Sequence, residues 1–176
     1  EQRLNVVGLF ADVSGFTPIS EALSKTGKGG AEELTQILNS YFDPMIILAE
    51  SYGGIIAKFA GDAMTIIFPY QRRNCRAVVR RTIQCAAAMQ ANMQRYAALQ
   101  TSAGVFGITM KAGLALGTVL CTSVGDLSSH LEYIVAGEVL DRCAEAEHHA
   151  ARGEIVIHQD LLPYAQPVKL IEMRDQ

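Results

Sequence analysis

Two aspartates, each placed where an apolar run ends, are the residues of this sequence best suited to do chemistry. Asp12 follows the apolar run at 4–11, and Asp62 lies in a Gly-Asp turn between two β-rich runs, at 54–59 and 63–68. If the first strand lies antiparallel beside the hairpin that carries Asp62, the two carboxylates meet at one edge of a sheet. Carboxylates that share a site repel each other, and a divalent cation relieves that repulsion. Magnesium held by one or two carboxylates normally completes its shell with substrate phosphates, so the pair indicates metal-assisted chemistry on a polyphosphate.

The turn that follows Asp12 leads into a helix and favours phosphate binding. Thr17 is a typical N-cap residue, and Pro18 suits the first helical position because its missing N–H has no partner to lose there. A helix N-terminus beside Asp12 offers unpaired N–H groups and the positive end of a dipole. The amides of residues 13–17 are therefore predicted to point at the same place as the two carboxylates.

Length and composition narrow the class of protein. The 176 residues are 49% apolar, which is enough for one well-buried domain. The net charge of −3, with charges interspersed, leaves no general basic field, so nucleic acid is not expected as a partner. The four cysteines show neither disulfide-scaffold density nor metal-ligand spacing, which predicts reduced, buried thiols in a cytoplasmic protein. No apolar run reaches membrane-spanning length. The chain begins with Glu1, and we expect residues 1–176 to be a single domain from a longer multidomain protein.

Periodicity predicts the elements that position these residues. Helical spacing indicates two long helices, at about 34–48 and 74–99, which cover the same face of a sheet. Residues 108–116 and 118–124 are predicted to form a second hairpin that turns at Gly117, and residues 168–171 an edge strand. The order of elements is typical of an α+β domain with helices over one antiparallel sheet, close to a ferredoxin-like core with a C-terminal extension.

Several motifs, read together, resemble the catalytic domains of class III nucleotidyl cyclases. The likeness occurs in the family's order over nearly the whole chain. Within the family it is most similar to the first catalytic domains of bicarbonate-responsive soluble adenylyl cyclases, through the Lys-Phe-Ala-Gly-Asp-Ala hairpin. The segments that carry it are Phe-Ala-Asp-Val-Ser-Gly-Phe-Thr at 10–17, Gly-Gly-x3-Lys-x2-Gly-Asp-Ala at 53–63, Lys-Ala-Gly-Leu-Ala-Leu-Gly at 111–117 and Glu-Tyr-Ile-Val-Ala-Gly at 132–137.

The resemblance implies a class III cyclase fold and a role for each matching residue. Asp12 and Asp62 match the family's catalytic, metal-binding aspartates, and the carbonyl of Val13 matches a backbone metal ligand. Two Mg²⁺ ions are expected, with Mn²⁺ or Ca²⁺ as alternatives. The turn made of Ser14, Gly15, Phe16 and Thr17 matches the one whose amides hold the triphosphate. Lys111 matches a residue that contacts phosphates. Lys58 matches a residue that contacts the base or lies near an anion site.

The helix after the Glu-Tyr-Ile-Val-Ala-Gly segment departs from the family pattern. The Asn that orients the ribose and the Arg that stabilises the transition state fall, without gaps, on Asp141 and Glu145, and the base-selecting position is Ile134. A carboxylate at Glu145 repels the developing charge that an arginine stabilises. The first domains of two-domain cyclases share this pattern, and their partner domain supplies the Asn and Arg. The resemblance therefore implies ATP and a second cyclase domain as partners, in cis or in trans as a pseudo-heterodimer, with a homodimer as the alternative.

Three functions stay open at this point. The first is the metal-bearing half of a signalling adenylate cyclase that forms 3′,5′-cyclic AMP and pyrophosphate from ATP, with little activity from this chain alone. The second is a catalytically degenerate cyclase domain that binds nucleotide and metal only to regulate a neighbouring module. The third is a polymerase-palm or diguanylate-cyclase relative. Low positive charge argues against the polymerase, and Gly-Asp-Ala in place of a Gly-Gly-Asp-Glu-Phe turn argues against the diguanylate cyclase. GTP also stays open as the substrate, because base-reading residues would come partly from another chain.

Overall fold

Strand β1 (Gln2–Ser14) forms the centre of the sheet in the computed structural model, which describes residues 1–126 and 130–174. The other strands of the sheet are β2 (Ile55–Ala60), β3 (Ala63–Pro69), β6 (Thr109–Asp126), β7 (His130–Ala136) and β8 (Ile155–Ile157), while β4 (Leu99–Thr101) and β5 (Gly104–Phe106) form a small hairpin of their own. The six-stranded sheet has the order β2-β3-β1-β6-β7, and β8 pairs in parallel with β6. Apart from β8, every pairing is antiparallel, as the α+β prediction required.

Helices cover both faces of this sheet. Along the described residues the α-helices are α1 (Phe16–Ser24), α2 (Lys28–Ser51), α3 (Cys75–Met93) and α4 (Glu138–His148). Helices α2 and α3 share one apolar core with alternate β1 residues such as Val7 and Leu9, so the prediction that both lie on the same face is confirmed. Helix α4 packs on the opposite face, against Val6 and Ile67. The sequence patterns do not predict a helix on that face.

Residues 109–126 form one continuous strand, so the predicted hairpin at Gly117 is wrong. Gly117 pairs with Val6 in the middle of the β1–β6 ladder. A Cβ atom at Gly117 would lie 2.8 Å from the Cβ of Val139 on α4. The glycine is therefore explained by the close approach of a helix to the sheet and not by a turn.

The predicted edge strand at 168–171 is also wrong. Residues 167–174 have no regular secondary structure, and Ile171 is 96% exposed. No strand pairing in the described part of the sheet includes this segment. Arg174 attaches the segment to the domain through an ion pair with Glu154 at 2.7 Å.

Two expectations about the chain as a whole agree with the structure. All four cysteines are free and buried, as their spacing predicted. In the part of the chain that the structure describes, no helix is long and apolar enough to cross a membrane.

Candidate active site

Strand β1 and the β2–β3 hairpin bring Asp12 and Asp62 to the same end of the sheet. Ala11 pairs with Met64 at the last register position of β1 and β3, so Asp12 follows directly beside the turn that holds Asp62. Gly61 supplies the positive φ of 64° that this turn needs, a conformation that glycine adopts at little cost. The negative charge of Asp62 raises the pKa of Asp12, which places the two carboxylates within electrostatic reach of each other.

The surroundings of Asp12 favour a nearby cation. The side chain is half-buried, and burial is the largest cause that raises the pKa of its carboxyl above the ordinary value. The charges of Glu147 and Asp62 raise this pKa further, and the charge of Lys111 lowers it by less. The protein itself thus leaves excess negative charge at this end of the sheet.

Lys111 lies directly across the sheet from Asp12. The two residues are register partners in the antiparallel β1–β6 ladder, so their side chains project from the same face. The Nζ atom of Lys111 is 2.5 Å from the Oε1 atom of Glu147 on α4. Glu147 is only 8% exposed. One ammonium is therefore shared among the carboxylates of the site.

Helix α4 reaches Lys111 because the strand below it carries a glycine. A Cβ atom at Gly113 would lie 2.0 Å from the carbonyl oxygen of Cys143 and 2.2 Å from the backbone nitrogen of Glu147. No side chain fits in that space without moving the helix. The absence of a side chain at Gly113 therefore allows Glu147 to approach Lys111.

Helix α1, which follows the turn after β1, begins earlier than predicted. The cap position is Gly15 with a φ of 101°, α1 starts at Phe16, and Thr17 is an exposed residue of the first turn rather than its cap. A Cβ atom at Gly15 would lie 2.3 Å from the carbonyl oxygen of Gly107, so both φ and space require glycine here. No side chain caps α1 and its first turn has no acidic residue, which leaves the amides of the Ser14–Thr17 turn suited to an anion.

Two further predicted site residues lie in different settings. Val13 pairs with Met110, and its side chain is 3% exposed, so only its main chain is available to the site. Lys58 is exposed on β2, the outermost strand, and β3 separates that strand from β1. Lys58 forms no ion pair with any part of the chain that the structure describes. Its contact with the base or an anion stays a prediction.

Sequence reasoning missed two residues that contribute to the site. Tyr41 of α2 is 2% exposed, its hydroxyl has no hydrogen-bond partner among the described residues, and burial followed by the charges of Asp62 and Asp12 raises its pKa. Periodicity identifies it only as part of an apolar helix face. Glu147 lies four residues after Cys143 on the buried face of α4. An acidic residue within an apolar stripe was the signal that could have identified it.

The donor set fits a hard divalent cation that also binds a phosphate ligand. No group of three or more His, Cys, Asp or Glu side chains placed to hold a metal occurs within residues 1–126 and 130–174. The groups that this end of the sheet offers to a metal are the carboxylates of Asp12 and Asp62 together with backbone oxygen. Magnesium is commonly bound in this way, through one or two carboxylates with phosphates and water in the remaining positions.

Comparison with known families decides what kind of domain contains this site. Residues 1–173 match the family described as the adenylate and guanylate cyclase catalytic domain. The chain belongs to this family. Human adenylate cyclase type 10 is 28% identical over 153 residues, which are 85% of this chain and 9% of that protein. Adenylate cyclase 1 of Rhizobium meliloti is 26% identical over 145 residues, which are 82% of this chain and 21% of that protein. The chain thus spans less than a quarter of the length of these relatives.

Solved cyclase structures have the same fold. The adenylyl cyclase CyaB from P. aeruginosa has a TM-score of 0.78 and 24% identity, over 95% of this chain and 83% of that one. The guanylyl cyclase Cya2 has a TM-score of 0.75 and 24% identity, over 99% of this chain and 89% of that one. An adenylyl and a guanylyl cyclase are thus about equally similar, so the cyclase fold does not by itself select the base.

Ile134, the position matched to base selection, lies far from the Asp12 end of the sheet, whereas Asp141 and Glu145 lie on α4, whose C-terminal half packs over Gly113 and Lys111. Ile134 on β7 pairs with Thr122, eleven residues along β6 from Lys111, which at about 3.3 Å per residue is roughly 35 Å away. Asp141 and Glu145 are exposed on the side of α4 that faces away from the sheet.

Proposed function

We propose that this chain is the metal-bearing half of a nucleotidyl cyclase site that forms 3′,5′-cyclic AMP and pyrophosphate from ATP. The observation that carries the proposal is the meeting of Asp12, Asp62 and Lys111 at one end of the sheet, while the base-selecting position, Ile134, lies far along β6. A nucleotide seated on the two aspartates could not also reach Ile134 of the same chain. The adenylate cyclases among the relatives favour ATP over GTP.

Each residue of the half-site has a distinct task in this proposal. Asp12, Asp62 and the carbonyl of Val13 would hold two magnesium ions, which when bound lower the pKa of the ribose 3′-hydroxyl and offset charge on the leaving pyrophosphate. The amides of residues 14–17 hold phosphate oxygens at the start of α1. Lys111 binds the same phosphates from the neighbouring strand. The 3′-oxygen then bonds to the α-phosphorus as the bond to the β-phosphate breaks, and the hydroxyl proton is lost to solvent.

A second cyclase domain would complete the site. Asp141 and Glu145 place carboxylates where the family has an Asn and an Arg, so this chain lacks the groups that orient ribose and stabilise the transition state. Exposed apolar side chains at the far end of β6 and on β7, Val124 at 53% and Tyr133 at 55%, favour a covering partner there. That partner could be another domain of the same protein or a separate chain, and a homodimer of this chain is the alternative.

The same two carboxylates favour a second candidate function. A cyclase domain that binds nucleotide and metal without catalysing the reaction would regulate a neighbouring module. Such a domain keeps Asp12, Asp62 and Lys111 but needs no transition-state donor.

Two measurements separate the candidates. Calorimetric titration of the chain with non-hydrolysable ATP and GTP analogues, with and without magnesium, tests nucleotide binding and base preference. Pyrophosphate and cyclic AMP release by the full-length parent protein tests catalysis. Binding together with cyclic AMP release supports the cyclase, binding without release supports the regulatory domain, and no magnesium-dependent binding contradicts both.

A further inference from the structure

Glu147 is the one charged side chain that is buried, among the residues that the structure describes. Its contact with Lys111 is an ion pair, at 2.5 Å, but its Oε1 atom accepts no well-aligned hydrogen bond. Buried carboxylates are normally held by several hydrogen bonds. The Glu147–Lys111 contact is therefore an ion pair without a well-aligned hydrogen bond.

We propose that Glu147 is a resident counter-ion for Lys111 that makes triphosphate binding depend on metal. It holds the ammonium while the site is free and must give it up, at least in part, when phosphates arrive. The inference rests on the proposed function, because it assigns Lys111 to phosphate and Asp12 and Asp62 to metal.

The balance of charge around Lys111 explains why its pairing with Glu147 would make triphosphate binding depend on metal. Lys111 is the register partner of Asp12 and the ion-pair partner of Glu147, and the β2–β3 turn brings Asp62 to the same end of the sheet, so three carboxylates lie near one ammonium. A triphosphate that arrives without metal adds about four negative charges and finds the only cation of the cluster already paired. Metal ions at the aspartates remove most of this repulsion, and Lys111 can then turn to the phosphates. Glu147 thus weakens metal-free binding more than metal-bound binding.

The backbone holds Glu147 in this position. Gly113 lets the C-terminal half of α4 lie directly on β6, and Glu147 projects from that half toward Lys111. Glu50, an exposed residue of α2, has the same charge but no part in the proposed site, so it serves as the control.

The test replaces each glutamate by its neutral isostere. Glu147→Gln and Glu50→Gln are titrated by calorimetry with inorganic tripolyphosphate and with a non-hydrolysable ATP analogue, in EDTA and in magnesium at equal ionic strength. We expect Glu147→Gln to strengthen metal-free tripolyphosphate binding about tenfold and to reduce the gain that magnesium gives. Glu50→Gln should change neither value appreciably. Unchanged or weaker metal-free binding in Glu147→Gln would overturn the proposal.

A double variant shows whether Lys111 transmits the effect. In a Lys111→Gln background, the change Glu147→Gln should give less than about a threefold gain, because the ammonium that it releases is absent. A full tenfold gain in that background would mean a general charge effect and would overturn the role assigned to the pair. Glu147→Met, which fills a similar volume without charge, replaces Glu147→Gln if the latter does not fold.

The test also distinguishes this inference from the proposed function. If the unmodified chain binds the ATP analogue in magnesium but Glu147→Gln changes nothing, the counter-ion role alone fails. If the unmodified chain does not bind the analogue even in magnesium, the proposed function fails. The tripolyphosphate titrations in EDTA still report whether Glu147 restrains Lys111 in that case.

Discussion

The two ends of strand β6 differ in how completely this chain organises them. At one end, Lys111 is the register partner of Asp12 and forms an ion pair with Glu147 of α4, and the β2–β3 turn brings Asp62 to the same end. At the other end, residues 122–126 pair only with β7, and Val124 and Tyr133 remain exposed. The first end is preorganised by contacts within the chain. The second exposes apolar side chains, which is a feature of surfaces that a partner covers.

Helix α4 shows the same contrast between its two sides. Its sheet-facing side is fitted closely to Gly8, Gly113 and Gly117, each of which would clash with α4 if it carried a Cβ atom. Its solvent-facing side presents Asp141 and Glu145, the positions that the resemblance matches to an Asn and an Arg. The sheet-facing side of α4 is thus closely fitted, while its exposed side has the residues that we propose a partner domain must supply in another form.

Removing Asp12 or Asp62 should have the largest effect on nucleotide binding, because each is a proposed metal ligand at the Lys111 end of β6. Asp12→Ala and Asp62→Ala should each weaken magnesium-dependent binding of an ATP analogue by more than about a hundredfold. The fold should persist, since neither carboxylate belongs to the apolar core. Calorimetry gives the affinity and circular dichroism the fold, with Asp43→Ala, an exposed carboxylate of α2, as the control. Undiminished binding in both variants would remove the basis for the metal site.

Repairing the exposed side of α4 should have the next largest effect. The double variant Asp141→Asn, Glu145→Arg should raise cyclic AMP formation by the isolated chain on the order of a hundredfold, because a homodimer would then carry the missing donor. The control is Glu32→Arg, which reverses an exposed charge on α2. Activity that stays at background at concentrations where the repaired chain dimerises would contradict the roles carried over to these two positions.

The fit of α4 to the sheet can be disturbed without touching a charged group. Gly113→Ala should lower the free energy of unfolding by on the order of 2 kcal/mol, because the new methyl group displaces the helix backbone. Gly29, in helix α2, is the matched control, since a methyl group added there would meet no atom within 4 Å. Gly29→Ala should be neutral or stabilise by up to about 1 kcal/mol. Urea unfolding measures both, and equal stabilities would show that α4 is not seated as described.

A smaller effect should separate phosphate binding from base binding. Lys111→Ala should weaken triphosphate binding about tenfold more than monophosphate binding, because the monophosphate lacks the phosphates that Lys111 is proposed to contact. Lys58→Ala should leave the ratio of the two affinities unchanged, since any contact with the base is common to both ligands. If Lys111→Ala lowers both affinities equally, its role is structural or lies elsewhere on the nucleotide.

Local sequence signals were enough to place the two aspartates. An apolar run that ends in Asp12 and a Gly-Asp turn before Ala63 each have few structural solutions, and both were found as predicted. The same holds for the two long helices, whose apolar periodicity left little choice of face. Their placement followed from patterns that span only a few residues.

Features that depend on how distant elements approach each other were not predictable in this way. Gly117 resembles a turn residue because a glycine between two apolar runs commonly is one, yet its role is to admit Val139 of α4. The apolar stripe of α4 marks Glu147 as an unusual buried acid, but nothing nearby in the sequence tells which strand α4 covers or which residue lies beneath Glu147. The start of α1 at Phe16 depends on the approach of Gly15 to Gly107, which are far apart in the sequence.

The most direct test of the half-site is complementation. The chain is mixed with a separate cyclase domain that has the Asn and Arg but whose own metal-binding aspartates have been replaced, and cyclic AMP is measured with ATP and magnesium. We expect each protein alone to be close to background, the mixture to be active, and the mixture made with Asp62→Ala to be inactive. Robust cyclic AMP synthesis by the purified chain alone, dependent on Asp12 and Asp62, would contradict the claim that it carries only the metal-bearing half.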